Sequence, residues 1–218
     1  MKKKTILCTS ILALTFILSG CQSIYYSAME KVGVHKRDIL IDRVEETKES
    51  QQASQEEFQS ALERVTTLID FKGGELQDTY NALNDDYQSS LEAANEVSTN
   101  IDKVEDVAEA LFDEWSEELE QYKSASLKRQ STQKFTNTKR QFSILLRSMR
   151  NAESKMEPVL SSLNDNVLYL KHNLNAQVVS EIKGEFANLK RDIQQLMNDM
   201  NQSIANSNKF IKQMNTAN

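Results

Sequence analysis

The sequence predicts an all-α protein, an elongated antiparallel bundle of four long helices. One observation is the scarcity of turn-forming residues. The 218 residues include 5 glycines and 1 proline, whereas a chain of this length with average composition would contain about 26 glycines and prolines together. The other is that apolar residues recur at alternating steps of three and four, which places them on one face of a helix. Sandwiches, barrels and βαβ folds need many more turns, so the composition excludes them.

The first twenty residues predict a lipoprotein signal peptide. Lys2–Lys4 form the positively charged n-region of such a signal. The apolar segment that follows, residues 5–18, is too short to cross a bilayer comfortably. The run ends in Leu18-Ser19-Gly20-Cys21, which resembles the lipobox of bacterial lipoproteins, whose cysteine is acylated and begins the mature chain. The alternative is a simple cleaved signal with an incidental cysteine. By resemblance to lipoprotein sorting in diderm bacteria, Gln22 implies the periplasmic face of the outer membrane of a Gram-negative cell.

The cysteine count leaves the mature chain without a disulfide. Cys8 lies in the predicted signal peptide, and Cys21 is the cysteine predicted to be acylated. The stability of the folded chain must therefore come from packing. Because more than one acyl chain anchors stably, Cys21 is the predicted membrane attachment. The expected organisation is a signal peptide over 1–20, a lipidated N-terminus and tether over 21–34, and a single helical-bundle domain over 35–218.

The first two predicted helices cover 35–69 and 75–122, separated by a turn at Gly73-Gly74. The first has a thin apolar stripe between residues 45 and 57, which predicts a region that opens or receives a partner helix. The second has the clearest periodicity. Its stripe extends through Trp115 to Tyr122, so both aromatic residues are expected to pack in the core, with an interfacial aromatic anchor as the alternative.

The third predicted helix contains Pro158, which is expected to kink it rather than break it. Asn173 and Asn175 offer capping side chains for the following turn. A continuous last helix is expected from about Ala176. The alternative is a longer three-helix coiled coil in which the third and fourth helices are fused.

Charge is arranged in blocks along the chain. Residues 42–120 include 23 acidic and 5 basic side chains, a net charge of −18, whereas residues 121–155 include 9 basic and 1 acidic, a net charge of +8. The basic segment is expected to pack beside acidic helices, and contact with anionic headgroups or a partner is the alternative. The predicted bilayer end carries the candidates for headgroup contact: Lys36, Arg37, Lys123, Lys128 and Arg129.

No catalytic residue, metal ligand or cofactor is predicted. The two histidines, His35 and His172, fall at opposite ends of the predicted bundle, and neither has a glutamate three residues before it as di-iron bundles do. The sequence has no phosphate-binding loop, nucleophile elbow or zinc-protease motif, so no nucleotide partner is expected. Nucleic acid is not expected either, because the chain is acidic overall and predicted to reach the envelope.

Four stretches of the chain resemble a known family. They are Tyr25–Leu40, Leu111–Trp115, Met156–Leu160 and Leu170–Ala176, and the resemblance covers nearly the whole mature chain. The family is domain-of-unknown-function family 2959, a group of uncharacterised gammaproteobacterial proteins. Because that family has no established activity, the resemblance implies kinship and transfers no chemistry.

The expected function is therefore that of a non-enzymatic lipoprotein whose bundle acts as a scaffold or partner-binding module. Its expected partners are the membrane, through the lipid anchor, and an envelope protein or a second copy of the chain. The alternative is a membrane-active helical protein that interacts with or remodels the bilayer. The mature chain has no apolar run approaching twenty residues, which argues against that alternative.

Overall fold

The computed structural model describes residues 35–70, 76–173 and 176–216. The predicted signal peptide, the lipobox, Cys21, the tether and the turn at Gly73-Gly74 lie outside the described residues. All regular secondary structure within these ranges is helical: α1 (Lys36–Ile69), α2 (Leu76–Gln121), α3 (Ala125–Lys171), α4 (Ala176–Glu181) and α5 (Lys183–Thr216). The all-α prediction with four long helices is confirmed.

The four long helices form a bundle in which each packs on two neighbours. Helix α1 contacts α2 and α5, and α3 contacts the same two helices. The ion pair of Lys36 with Glu114 (3.1 Å) joins the start of α1 to the end of α2. The Phe142 and Phe210 rings, 6.0 Å apart, join the first half of α3 to the last turns of α5. Because α3 and α5 lie side by side and antiparallel, the fused three-helix alternative is wrong.

The predicted apolar stripes form one continuous core. In α2 the core positions repeat at steps of three and four and are buried: Ala94, Val97, Ile101, Val104, Ala108 and Leu111. The prediction fails for Tyr122, which is 42% exposed. Tyr122 follows the last residue of α2, where neither α1 nor α5 extends far enough to cover it.

Helix α3 continues through Pro158 without a break, as predicted. Met156 and Val159, on either side of the proline, are both buried in the core. Packing of the flanking turns offsets the hydrogen bond that the proline cannot donate, which costs an isolated helix about 3 kcal/mol.

The prediction of a continuous last helix is wrong, because Ile182 interrupts it between the end of α4 at Glu181 and the start of α5 at Lys183. The helix restarts through backbone hydrogen bonds in which Glu185 N and Phe186 N donate to Ile182 O, at 3.0 and 3.1 Å. Gly184 lies in this first turn, and a Cβ there would meet no atom within 4 Å. Packing therefore does not require the glycine, whose low helix propensity coincides with the interruption.

The middle of α1 is polar but buried. Its inward positions between residues 45 and 57 are Thr47, Ser50, Gln51 and Ser54. Neighbouring helices cover this segment, and Gln55 Nε2 donates a hydrogen bond to Met197 O of α5 at 3.2 Å. The segment predicted to receive a partner helix is therefore occupied by the bundle itself.

The buried polar groups of this segment are satisfied unequally. The Thr47 hydroxyl donates to Arg43 O at 2.8 Å, and the Ser50 hydroxyl donates to Thr47 O at 3.0 Å. Neither Nε2 nor Oε1 of Gln51 has a hydrogen-bond partner among the described residues. A buried polar group without a partner destabilises the folded state by about 1–3 kcal/mol.

Replacing Gln51 with Met is expected to raise the free energy of unfolding by about 1–2 kcal/mol, since it removes two unpaired polar atoms and conserves volume. Urea denaturation followed by circular dichroism measures the change. Gln55→Met is the matched control: it removes the bond to Met197 O and is expected to destabilise the protein. A lower stability for Gln51→Met would show that Gln51 has a partner in solution.

Candidate functional site

The connection between α2 and α3 extends beyond the other helices that the structure describes. Lys36, the first residue of α1, contacts Glu114, whereas α2 continues to Gln121. From residue 115 to residue 135 only Leu119 is buried. We call residues 115–135 the hairpin tip. At a rise of 1.5 Å per residue the tip projects about 15 Å past the start of α1.

Specific contacts join the two helices of the hairpin tip. The Trp115 indole Nε1 donates to Ser131 Oγ at 3.0 Å, and its ring packs edge-on against Phe135 with centroids 5.6 Å apart. Ser124 caps α3 by accepting a hydrogen bond from Leu127 N at 3.4 Å. The tip is therefore a defined two-helix projection of the bundle.

The structure brings all five candidates for headgroup contact to this end of the bundle. Lys123 and Arg129 are exposed on the tip. Lys128 is partly exposed and pairs with Glu120 at 2.9 Å. Below the tip, the Lys36 side chain is only 12% exposed and is held by Glu114, and Arg37 is half-buried. Lys123 and Arg129 are consequently the best-placed cations for a surface that meets the tip.

A groove of about 620 Å³ opens beside the tip, where α1 begins and α5 ends. Residues from all four long helices line it. Its apolar part includes Leu111, Trp115 and Met214, and its charged rim includes Arg37, Glu118, Lys134 and Arg140. We call it the end groove. No pattern in the sequence indicates this groove, because it arises from the different levels at which the four helices end.

The family comparison covers nearly the whole of the described bundle. The sequence model of a protein family, described as protein of unknown function (DUF2959), matches residues 25–214. The chain belongs to this family. No curated protein and no solved structure matches the chain. The family resemblance of the sequence is thus confirmed, and the match includes residues 25–34, ahead of α1.

In this DUF2959 chain, the last two cations of the basic segment pair with acidic side chains of the neighbouring helices α2 and α5. Arg150 contacts Asp102 at 2.7 Å and Glu105 at 2.6 Å on α2, and Glu153 at 3.0 Å on its own helix. Burial opposes the charge of Arg150, but the hydrogen bonds to these carboxylates outweigh it and raise the pKa of the guanidinium. Lys155 pairs with Asp199 of α5. Both residues therefore act as links between helices.

The two histidines of the DUF2959 chain lie far apart in the described structure. His35 precedes α1 and His172 follows α3, at opposite ends of the bundle. The described ranges hold no group of three or more histidine, cysteine or acidic side chains placed to bind a metal ion. Likewise, none of the helices in these ranges has the length and hydropathy needed to cross a membrane.

The pairing of Lys155 with Asp199 predicts acid sensitivity. Burial raises the pKa of the Asp199 carboxyl, but hydrogen bonds from Lys155 and Gln195, with the charge of Lys155, lower it below its ordinary value on balance. As the pH falls, the unfolded chain then binds more protons than the folded chain does. The contribution of Asp199 to the free energy of unfolding is therefore present above about pH 4 and is lost below it. Asp199→Asn is expected to lower stability at pH 7 and to flatten its decline below pH 4.

Urea denaturation of both proteins at a series of pH values tests this prediction. Asp192→Asn is the matched control, since Asp192 is exposed on the same helix and lies 3.7 Å from Arg191. It is expected to follow the wild-type curve. The prediction is wrong if Asp199→Asn and the wild type lose stability in parallel below pH 4.

Proposed function

We propose that this protein is a lipoprotein anchored through Cys21 to the periplasmic face of the outer membrane, and that its bundle is a non-enzymatic scaffold or partner-binding module. The observation that carries the proposal is the position of the hairpin tip. The tip projects at the end of the bundle where α1 begins, and Cys21 precedes α1 in the chain. This order along the chain supports a membrane surface at the end of the bundle that carries the tip.

Two exposed cations near the turn support this orientation. Lys123 and Arg129 are exposed at the outermost part of the described structure, close to the turn between α2 and α3. Near an anionic leaflet each basic side chain contributes about 1 kcal/mol of attraction. Acyl chains and exposed cations together give the two signals that stable membrane attachment needs.

The length of the bundle supports a scaffold role. Helix α3 has 47 residues and is therefore about 70 Å long at 1.5 Å per residue. A protein anchored at the tip presents its far end well away from the membrane. At that end Leu168 and Tyr169 are neighbours on α3 and are 48% and 41% exposed. Tyrosine is enriched at the contacts that proteins make with partners.

Vesicle binding tests the orientation at the tip. In unlipidated protein covering residues 22–218, Lys123→Gln with Arg129→Gln is expected to weaken binding to anionic vesicles roughly 30-fold, since two contributions of about 1 kcal/mol are lost. Sedimentation with vesicles containing phosphatidylglycerol measures the affinity. The control, Lys183→Gln with Arg191→Gln, removes two exposed charges at the opposite end and is expected to bind like the wild type. Equal affinities for all three proteins would contradict the orientation.

Cell fractionation and crosslinking test the anchor and the scaffold role. Cys21→Ala is expected to leave the outer-membrane fraction and to accumulate unlipidated. A photo-crosslinking residue at Tyr169 is expected to capture an envelope protein or a second copy in intact cells. The same residue at Asn201, which is exposed near the middle of α5, is the control. Recovery of uncrosslinked monomer alone from both sites would contradict the scaffold proposal, and dye release from vesicles would favour the membrane-active alternative.

A further inference from the structure

Arg140 and Arg147 lie on the outer side of α3, and we call them the basic ridge. They are seven residues apart, which is two helical turns, so they share one face of the helix and lie about 10 Å apart along its axis. Both are exposed. Unlike Arg150 and Lys155, they form no ion pair with a described residue. Their charges are therefore available to a partner outside the bundle.

The surroundings of the basic ridge reinforce its charge. From residue 125 to residue 152, α3 includes seven basic side chains and no acidic one. The last turns of α5 pack beside this part of α3 through Phe210. They add exposed Lys209 and Lys212, and α5 has no acidic side chain after Asp199. The ridge thus lies in a surface that attracts anions.

The opposite corner of the bundle carries an acidic ridge. Helices α1 and α3 each pack on α2 and α5, so they occupy opposite corners and their outer faces point in opposite directions. The exposed acidic residues in the first half of α1 recur at steps of four, four and three, which places them on one face. They are Asp38, Asp42, Glu46 and Glu49, and we call them the acidic ridge.

The end of α2 fixes the relative heights of α1 and α3. Glu114 contacts Lys36 of α1 at 3.1 Å, and Trp115 contacts Ser131 and Phe135 of α3. Lys36 is therefore level with the turn of α3 that lies between these two residues. The offset in residue number between α1 and α3 at one height is thus about 95 to 99.

The same offset aligns the two ridges. Arg140 is 98 positions after Asp42, and Arg147 is 98 positions after Glu49. Both helices run away from the hairpin tip at the same rise per residue. Each arginine is therefore at the height of one carboxylate on the opposite side of the bundle. Two parallel copies placed side by side at one level bring these opposite charges together.

We propose that the basic ridge of one copy binds the acidic ridge of a second, parallel copy at the same level. The contact is heterologous, because each copy offers a different ridge to each of its two neighbours, so it repeats into rows. A single exposed ion pair contributes little, and the contact in solution is therefore weak and sensitive to salt. Lipid attachment of many copies to one surface raises their effective concentration and favours the rows.

The spacing of the charges favours a second copy over an anionic bilayer. A bilayer carries no charges spaced to match the two arginines, and it meets the ridge only when the bundle lies on its side. The proposed anchoring instead directs the tip towards the membrane and holds neighbouring copies parallel, with their tips at one level. The inference deepens the proposed scaffold role by naming the partner, and its parallel arrangement in cells rests on that proposed function. Association without lipid is measured separately from anchoring.

Sedimentation velocity of unlipidated protein covering residues 22–218 measures the association. It is expected to increase with protein concentration in about 0.1 M NaCl and to be lost in about 1 M NaCl, where the screening length falls from about 10 Å to about 3 Å. Arg140→Glu with Arg147→Glu is expected to weaken it roughly 10-fold, since attraction becomes repulsion. Lys183→Glu with Arg191→Glu makes the same change in net charge at the far end and is expected to associate like the wild type.

A wild type that stays monomeric at every concentration in 0.1 M NaCl would overturn the proposal. Equal weakening by the two charge reversals would also overturn it, because net charge alone would then explain the effect. In sedimentation with anionic vesicles, the Arg140 and Arg147 variant is expected to bind like the Lys183 and Arg191 variant. Weaker vesicle binding with unchanged self-association would assign the basic ridge to the bilayer and overturn the proposal.

Mixing of two variants tests the complementarity of the ridges. Asp42→Lys with Glu49→Lys reverses the acidic ridge and is expected to weaken self-association to the same extent. A mixture of this variant with the Arg140 and Arg147 variant is expected to associate like the wild type, because one protein keeps the basic ridge and the other keeps the acidic ridge. Restored association also shows that both variants fold. Monomers in the mixture, with wild-type circular dichroism, would overturn the proposal.

Crosslinking tests the register with both ridges intact. Protein covering residues 22–218 has no cysteine, since the chain has cysteine only at positions 8 and 21. Ala53→Cys and Asn151→Cys, in separate copies, lie at exposed positions one turn beyond the ridges and are expected to crosslink through a short bismaleimide. Thr136→Cys lies on the same face of α3, about 22 Å nearer the tip, and is expected not to crosslink with Ala53→Cys. Equal yields for the two pairs, or none for either, would overturn the proposal.

Discussion

Unequal helix lengths are the constraint on which the rest of this structure depends. Helices α2 and α3 have 46 and 47 residues, whereas α1 and α5 have 34 each. A difference of about 12 residues corresponds to about 18 Å of helix. Because the antiparallel register is set by the apolar stripes and by contacts such as Lys36 with Glu114, most of this excess emerges at the α2–α3 turn. The hairpin tip and the end groove both result from it.

The same constraint divides the basic segment into two parts with different roles. Where α3 has neighbours on both sides, Arg150 and Lys155 pair with acidic residues of α2 and α5. Where α3 extends past α1 and α5, Lys123 and Arg129 are exposed. A cation beside an acidic side chain of a neighbouring helix links the two helices, and a cation beyond the neighbouring helices is placed for an external surface. The basic segment thereby contains cations that join helices and cations that are proposed to contact the membrane.

The polar segment of α1 shows a second way in which the bundle constrains its own interior. Thr47, Ser50, Gln51 and Ser54 occupy positions that a uniformly apolar stripe would give to larger side chains. Thr47 and Ser50 donate to carbonyl oxygens of their own helix, whereas Ser54 Oγ and both polar atoms of Gln51 have no partner among the described residues. A buried polar group without a hydrogen-bond partner destabilises the folded state. This segment therefore stabilises the bundle less than a uniformly apolar stripe would.

The sequence by itself determined the helices, most of their ends and the family, because three-four periodicity, turn residues and motifs are local properties. It placed α1 and α2 within a residue or two and predicted that α3 passes through Pro158. Only the tertiary structure decided which helix ends lie at the same level. Because of the relative positions of these ends, Tyr122 is exposed, Lys36 pairs with Glu114, and a groove opens beside Trp115. These features depend on how far each neighbouring helix extends, which the periodicity of a single helix does not encode.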